Sequence, residues 1–380
     1  VRWNEEDKNW EVTTNNGLFL GQFLINASGP LSTPVIPEFK GREKFKGEAF
    51  HTNNWNHQLD LKGLRVAVIG SGASAAQVIP AIVGEVKRMH VFQRTPHWVV
   101  PRPDRLFSKF QQKLLGIHFI YNMIRRIIYW GLETRVIGFK YSRTMLRLLG
   151  QGKAEKFLMK SIPDDDLRKK VTPDYTLGCK RVLLSNDLYP AYQKANCILH
   201  TKDDAISEIN ETGITTTKGE KIDLDLIVYA TGFDATDNAI GYPIVGKNGT
   251  SLADQWSEYP RAYLGTAMPN FPNFFMVTGP NTGIGHTSAI FIIEAQMHYM
   301  MNSIQAVIEK DLKAIEVTEK AEEEYTAMIH SEMEKTVWKD GGCKSWYMSK
   351  SGHVVAMFPG FSFTYLRLAK RFKPQHHLIN

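Results

Sequence analysis

Cysteine is scarce in this chain and badly placed for cross-linking. Cys179, Cys197 and Cys343 are the only three in 380 residues. Their odd number and wide spacing predict no disulfide framework, no zinc-ligand pattern and no redox pair. That sets aside disulfide-reductase chemistry, makes a reducing cytoplasm the expected location, and leaves no metal site expected. An uninterrupted apolar run of spanning length is also lacking, because Arg125-Arg126 interrupts the most apolar stretch. No nucleic-acid recognition motif accompanies the net charge of +7, so nucleic acid is not an expected partner. No internal repeat or low-complexity tract stands out, and His376-His377 reads as a solvated tail. Hydrophobic residues make up 43% of the chain, enough for a sizeable core and more than one domain.

What is present begins at Leu64. Arg65-Val66-Ala67-Val68-Ile69 is an apolar, β-branched run. Gly70-Ser71-Gly72-Ala73-Ser74-Ala75 follows it, and then a helical stretch. Strand, glycine-rich turn and helix together form a dinucleotide-binding arrangement. Gly70 permits the tight turn, Gly72 lets the backbone approach a pyrophosphate, and Ala75 lets helix and strand pack closely. The next strand, His90-Val91-Phe92, leads into Gln93-Arg94-Thr95. An acidic residue about 20 residues after the glycine turn usually binds the ribose hydroxyls of NAD. Arg94 stands there instead, and a guanidinium pairs with a 2′-phosphate. NADPH is therefore expected over NADH.

Upstream lies Phe45-Lys46-Gly47-Glu48-Ala49-Phe50-His51-Thr52-Asn53-Asn54-Trp55-Asn56. It matches FxGxxxHxxxW, and by it the chain resembles the type I Baeyer–Villiger monooxygenases. Those are flavoenzymes that use NADPH and O2 to insert oxygen beside a ketone. Related flavin-containing monooxygenases usually carry another aromatic where Trp55 stands, and Asn56 departs from the Pro or Asp that commonly follows. Further strings resemble the family in order. Ala27-Ser28-Gly29-Pro30 resembles the first crossing between domains, and Ala230-Thr231-Gly232-Phe233 the second. The string through Gly279-Pro280-Asn281-Thr282 resembles the final flavin strand and turn. A helix is expected to begin near Thr287 or Ser288, with its N-terminus toward the flavin.

The resemblance implies an α/β fold, a two-dinucleotide-binding-domain flavoprotein. A Rossmann-like NADPH domain with a helical insertion would sit within a split FAD domain. The family opens with an earlier GxGxxG lobe for the ADP part of FAD, which also carries an active-site Asp. No such motif precedes residue 64, so the FAD domain is expected to be N-terminally incomplete, as in a truncated gene product or an incomplete sequence. The expected boundaries are a flavin-domain remnant over 1–50, where an Asn-Gly turn after Trp10–Thr14 marks a hairpin, and a linker over 51–60. The NADPH domain is expected over 61–225 with the insertion about 103–167, and the FAD-domain return over 226–380.

By the same resemblance, Arg181 in Lys180-Arg181 is the catalytic arginine. A fixed guanidinium would stabilise the flavin C4a-peroxide anion and the addition intermediate it forms with a ketone. Lys180 would join Arg94 and Thr95 at the NADPH 2′-phosphate, with Asp187 and Tyr189 as candidates to orient Arg181. His51 and Trp55 belong to the catalytic set through the linker, where the family histidine tunes domain motion. Ser71, Ala73, Ser74, Ala230, Thr231, Gly232, Gly279, Asn281 and Thr282 complete the cofactor contacts. Trp346 and Tyr347 line either the substrate funnel or the core. The expected cofactors are FAD and NADPH, and the expected partners are O2 and a ketone or other lipophilic small molecule. The basic, helical stretch from Arg102 to Lys160 reads as the insertion or as a surface for peripheral membrane contact. Two other functions stay open: oxygenation of nitrogen or sulfur, and a binding module that takes NADPH but no flavin. Oligomeric state has no signature in the sequence.

Overall fold

The computed structural model of the chain describes residues 1–236 and 240–379. Two compact units emerge. One comprises Pro34–Arg105 and Arg147–Phe233, the other Val1–Thr33, Leu106–Leu146 and Asp234–Asn380.

The first unit is built on a five-stranded parallel sheet. From edge to edge it runs Cys197–His200, Arg88–Phe92, Arg65–Ile69, Leu226–Tyr229 and Glu48–His51. The glycine-turn strand lies at its centre, flanked on both sides. Parallel central strands have both faces covered and so read as unbroken apolar runs. Val66, Ala67 and Val68 and Leu226, Ile227 and Val228 are accordingly fully buried. The helix Ala75–Ile82 covers one face, with Ala75 and Ile79 in the core. A three-stranded antiparallel meander, Ile206–Ile209, Gly213–Thr216 and Lys221–Asp223, covers the other through Ile209, Ile214 and Ile222. At the amino ends, the Asp225 carboxylate accepts from the Arg65 backbone N–H at 2.8 Å and from its guanidinium at 2.8 and 3.1 Å. That pairing starts two central strands in register.

The second unit carries the expected hairpin. Asn9–Thr14 pairs with Gly17–Gly21 across a two-residue turn, Asn15-Asn16. Trp10 is its anchor: fully buried, its indole N–H donates to the Pro272 carbonyl at 2.8 Å, and its ring lies 5.6 Å from Phe274. Leu24–Asn26 pairs in parallel with Phe274–Met276. The helix Ala289–Glu309 begins where expected, with the Ser288 hydroxyl accepting from the Ile290 N–H.

The division of the chain differs from the expected boundaries. Glu48–His51 is an edge strand of the nucleotide sheet, paired with Leu226–Tyr229, so residue 51 ends a strand rather than opening a linker. Leu226–Tyr229 likewise belongs to that sheet, because an all-apolar four-residue run fits a strand buried on both faces. Residues Leu106–Leu146 group with the second unit. There the helices Lys109–Leu115 and His118–Glu133 expose Phe110, Phe119, Ile127 and Ile128. Between Asp104 and Glu133 five basic residues occur and no carboxylate. No helix among the described residues is long and apolar enough to cross a membrane. Cys197 alone is a free thiol among the described residues, so the expectation of no disulfide is not upheld.

The C-terminal histidines are not a solvated tail. The Tyr263 hydroxyl lies 2.8 Å from His376 Nδ1, and the Tyr299 hydroxyl 2.7 Å from His377 Nε2. Residues His377–Ile379 form a strand against Ile315–Val317. Burial lowers the His377 pKa to about 4, and burial with the charge of Arg135 lowers that of His286 to about 4. Both rings are held neutral in the fold, while in the unfolded chain they protonate near the ordinary value of about 6.5. Their contribution is therefore complete above about pH 6.5 and is lost as pH falls toward 4. Thermal unfolding followed by circular dichroism should show the midpoint falling between pH 7 and 5. His377→Gln should flatten that dependence; an unchanged slope would refute the assignment.

Candidate functional site

The glycine turn lies at the carboxyl ends of the central strands, where nucleotides bind open α/β sheets. Gly70 has φ +129°, and a Cβ there would stand 2.2 Å from the Ala230 carbonyl oxygen. Only glycine permits this approach of the two crossing strands. Gly72 behaves oppositely: a Cβ on it would meet no protein atom within 4 Å. Its bare backbone faces the space a pyrophosphate would fill, so the cradle fits the dinucleotide. The Ser71 hydroxyl donates to the Thr95 carbonyl at 2.7 Å and braces the loop against the second strand. The helix Ala75–Ile82 has no side-chain cap from Ser74 and no acidic residue in its first turn. Its N–H groups and positive dipole end are left for an anion. Ala73 is exposed there, and Ala75 is fully buried.

Arg94 is exposed at the end of the second strand. Lys180 is half-buried, its ammonium 5.2 Å over the Tyr175 ring. Burial lowers the Lys180 pKa and the charge of Arg94 lowers it further, against an opposing pull from Asp174. Arg94 and Lys180 are thus electrostatic neighbours. Among the described residues neither has a carboxylate within ion-pair distance. Two neighbouring cations without a directly paired carboxylate suit a phosphate dianion. The two loops bearing them are tied together by the Trp98 indole N–H donating to the Tyr175 carbonyl at 2.8 Å, and by the Tyr175 hydroxyl donating to the Pro96 carbonyl at 3.0 Å. Arg181 is exposed, just before the short strand Leu183–Leu184. Asp187 is exposed at the start of the helix Leu188–Tyr192, whereas Tyr189 points into the core, its ring 5.6 Å from Phe157.

The fingerprint string is held by packing. Phe45 packs against the cluster under the meander. A Cβ on Gly47 would stand 2.6 Å from the Phe45 ring and 2.7 Å from the Asp225 carbonyl oxygen. His51 is 4% exposed, its ring 5.3 Å from Phe233 at 83°. Its Nδ1 accepts from the Asn53 N–H at 3.1 Å, and its buried Nε2 has no hydrogen-bond partner. Burial lowers its pKa, with the Gly232 backbone opposing. Trp55 meets the Phe50 ring edge-on at 5.0 Å. Phe45, Gly47 and Trp55 of the string therefore each have a steric or packing reason.

In the second crossing, the Thr231 hydroxyl donates to the Val35 carbonyl, and a Cβ on Gly232 would meet nothing within 4 Å. In the flavin-turn string, Asn281 and Thr282 are committed within the fold. The Asn281 side-chain amide donates to the Val354 and Met357 carbonyls at 2.9 and 3.0 Å, and the Thr282 hydroxyl to the Gly279 carbonyl at 2.6 Å. They shape the turn. Gly279 is needed there, since a Cβ would stand 2.4 Å from the Gly265 carbonyl oxygen. Gln296, fully buried, was missed by the sequence reading. Its Oε1 accepts from the Thr278 N–H at 2.9 Å, and its amide donates to the Gly265 carbonyl and the Thr266 hydroxyl. One helical glutamine in an apolar stretch carries no signal of that role. Tyr347 is buried, and Trp346 is 40% exposed.

A family model described as flavin-binding monooxygenase-like matches residues 6–248. The chain belongs to that family. A Baeyer–Villiger monooxygenase of Pseudomonas aeruginosa is 38% identical over 375 residues, covering 98% of this chain and 71% of the relative. One from Streptomyces coelicolor is 37% identical over 373 residues, with the same two shares. Among solved structures, cyclohexanone monooxygenase from Rhodococcus sp. Phi1 bound to NADP+ superposes with a TM-score of 0.86 at 27% identity. It covers all of this chain and 79% of that one. The α/β fold is that of the flavoprotein monooxygenases with two dinucleotide-binding domains.

The two glycines separate fold from ligand. Gly70→Ala should lower the thermal midpoint sharply, by the equivalent of about 2 kcal/mol or more. Gly72→Ala should leave the midpoint within about 1 °C of the parent, on the small-effect scale of open sites, yet weaken NADPH binding in calorimetry. Equal unfolding effects from both would contradict the contact geometry.

Proposed function

We propose that the chain works as an NADPH- and FAD-dependent Baeyer–Villiger monooxygenase, inserting one oxygen atom of O2 beside a ketone carbonyl to give an ester or lactone. The observation that carries this reading is the FxGxxxHxxxW string packed into a nucleotide lobe with an NADP-type cation pair. The names of the relatives agree with it. FAD, when bound, supplies the activation of O2 with electrons from NADPH.

The chain's own residues do the rest. Gly72 and the open helix N-terminus receive the pyrophosphate of NADPH. Arg94 and Lys180 pair with its 2′-phosphate, and their mutual repulsion is relieved when it binds. Arg181 is permanently charged at neutral pH, so it can hold developing negative charge without giving up its proton. Trp55 and His51 keep the edge strand and its exit rigid. The Gly279–Thr282 turn and the start of the helix Ala289–Glu309 offer backbone shape and dipole to the flavin, the turn's side chains being already engaged.

Arg94→Ala should weaken NADPH far more than NADH, by roughly tenfold or more for a lost charge-assisted pair. Equal losses for both nucleotides would remove the 2′-phosphate assignment.

The reading as a whole is tested by visible absorption of the purified chain with added FAD. A retained flavin spectrum that bleaches with NADPH, and ester formed from a ketone, are expected. Arg181→Ala should keep the bleaching and lose the ester. NADPH binding without any retained flavin would favour the binding module, and sulfoxide or N-oxide without ester the other oxygenation chemistry.

A further inference from the structure

A second cluster of ionisable side chains lies on the nucleotide unit, under the meander. His200 ends the outer strand Cys197–His200. Asp204 ends the short turn Lys202–Asp204 that follows. Glu220 stands between the meander strands Gly213–Thr216 and Lys221–Asp223. One ligand atom from each lies within 4.8 Å of the others. We propose that His200, Asp204 and Glu220 form a binding site for a divalent transition metal ion of the zinc type.

The local chemistry is that of a prepared ligand set. The His200 ring is stacked on Phe92 at 4.6 Å and 12°, so its direction is fixed. Its Nε2 lies 3.0 Å from His90 Nδ1, and its Nδ1 lies 2.8 Å from Asp204 Oδ2. A metal-bound imidazole ordinarily donates its second N–H to a neighbouring acceptor, which fixes the tautomer. His90 Nδ1 is placed to be that acceptor. The His200 Nδ1 lone pair then faces the Asp204 carboxylate, an arrangement that needs a cation between them. A proton fills that role in one tautomer, and a metal ion in the other.

Asp204 Oδ1 is buried without a hydrogen bond of ordinary geometry, and the Thr216 hydroxyl, on a residue 2% exposed, is the side-chain donor beside that carboxylate. The charge balance fits a dication, since one neutral imidazole and two carboxylates carry −2. Lys218 is the basic side chain that acts on Asp204 from the meander turn. A mixed nitrogen and oxygen donor set suits Zn2+ or Co2+ over Ca2+ or Mg2+, and three protein ligands leave a fourth position for water. The ion would clamp the end of the outer strand to the meander. The Gln93 N–H donates to the His200 carbonyl at 2.9 Å, so the clamp adjoins the loop that carries Arg94. The proposal is independent of the oxygenase reading.

The test uses the full chain, stripped with a chelator and titrated with ZnCl2 in a calorimeter, with CoCl2 as the optical probe. One equivalent of saturable Zn2+ binding and visible cobalt bands are expected. Glu220→Gln alters only an exposed side chain and should weaken binding by roughly tenfold or more. Asp204→Asn should abolish the cobalt bands, with circular dichroism to confirm that the variant folds. Absence of saturable one-equivalent binding would overturn the proposal. So would binding unchanged by Glu220→Gln, which would place the ion elsewhere, for example at Cys197.

Discussion

The nucleotide unit depends on one close backbone approach. The two central strands of its sheet leave the carboxyl edge side by side, and the carbonyl of Ala230 occupies the volume where any side chain at residue 70 would begin. Because residue 70 is glycine, the turn can rise between the strands and present Gly72 to open space. The uncapped helix then follows with its N–H groups directed at the same place. The sheet is tied at its other end by Asp225 and Arg65, so the register that brings Ala230 against Gly70 is set from below. Strand pairing, turn geometry and anion cradle are therefore one arrangement, and none of the three can shift alone.

Much of this unit is legible in sequence because its signals are local. The run Arg65–Ile69 has the bounds the residues suggest. The two-residue hairpin turn and the Ser288 helix start follow equally local rules. What failed depends on contacts distant in sequence. Glu48–His51 reads as the end of the flavin-domain remnant and the first residue of a linker because its partner lies almost 180 residues downstream, at Leu226–Tyr229. The helical segment 106–146 reads as part of the nucleotide domain because it lies between two of its pieces, yet it groups with the other unit. His376 and His377 look like a polar tail until the tyrosine hydroxyls of residues 263 and 299 are brought to them. A hydroxyl more than 70 positions away leaves no trace in local composition.

The candidate site divides in the same way. Gly70, Gly72 and Arg94 announce themselves through the backbone and charge that a dinucleotide requires. Asn281 and Thr282 occur in a family string for another reason. Their polar atoms are consumed inside the turn they shape, so a motif position identifies them without telling whether the side chain meets a ligand. Gln296 is the converse case, a buried amide that organises the same turn and belongs to no motif.

The fingerprint string extends this point. Its fixed residues are those whose replacement would disturb an edge strand: Phe45 fills the cluster under the meander, Gly47 yields to that ring and to a carbonyl, and Trp55 closes over Phe50. His51 is the exception. Its Nδ1 is engaged, and its Nε2 is a buried polar atom with only the Gly232 backbone beside it and no well-formed hydrogen bond. Burying such a group unpaired costs on the order of 1–3 kcal/mol, which an apolar residue of similar shape would avoid. Packing therefore accounts for phenylalanine, glycine and tryptophan in the string but not for histidine. The histidine is thus the one fixed position whose polar atom lies buried beside Gly232 and Phe233, where the strand next to the glycine turn leaves the sheet.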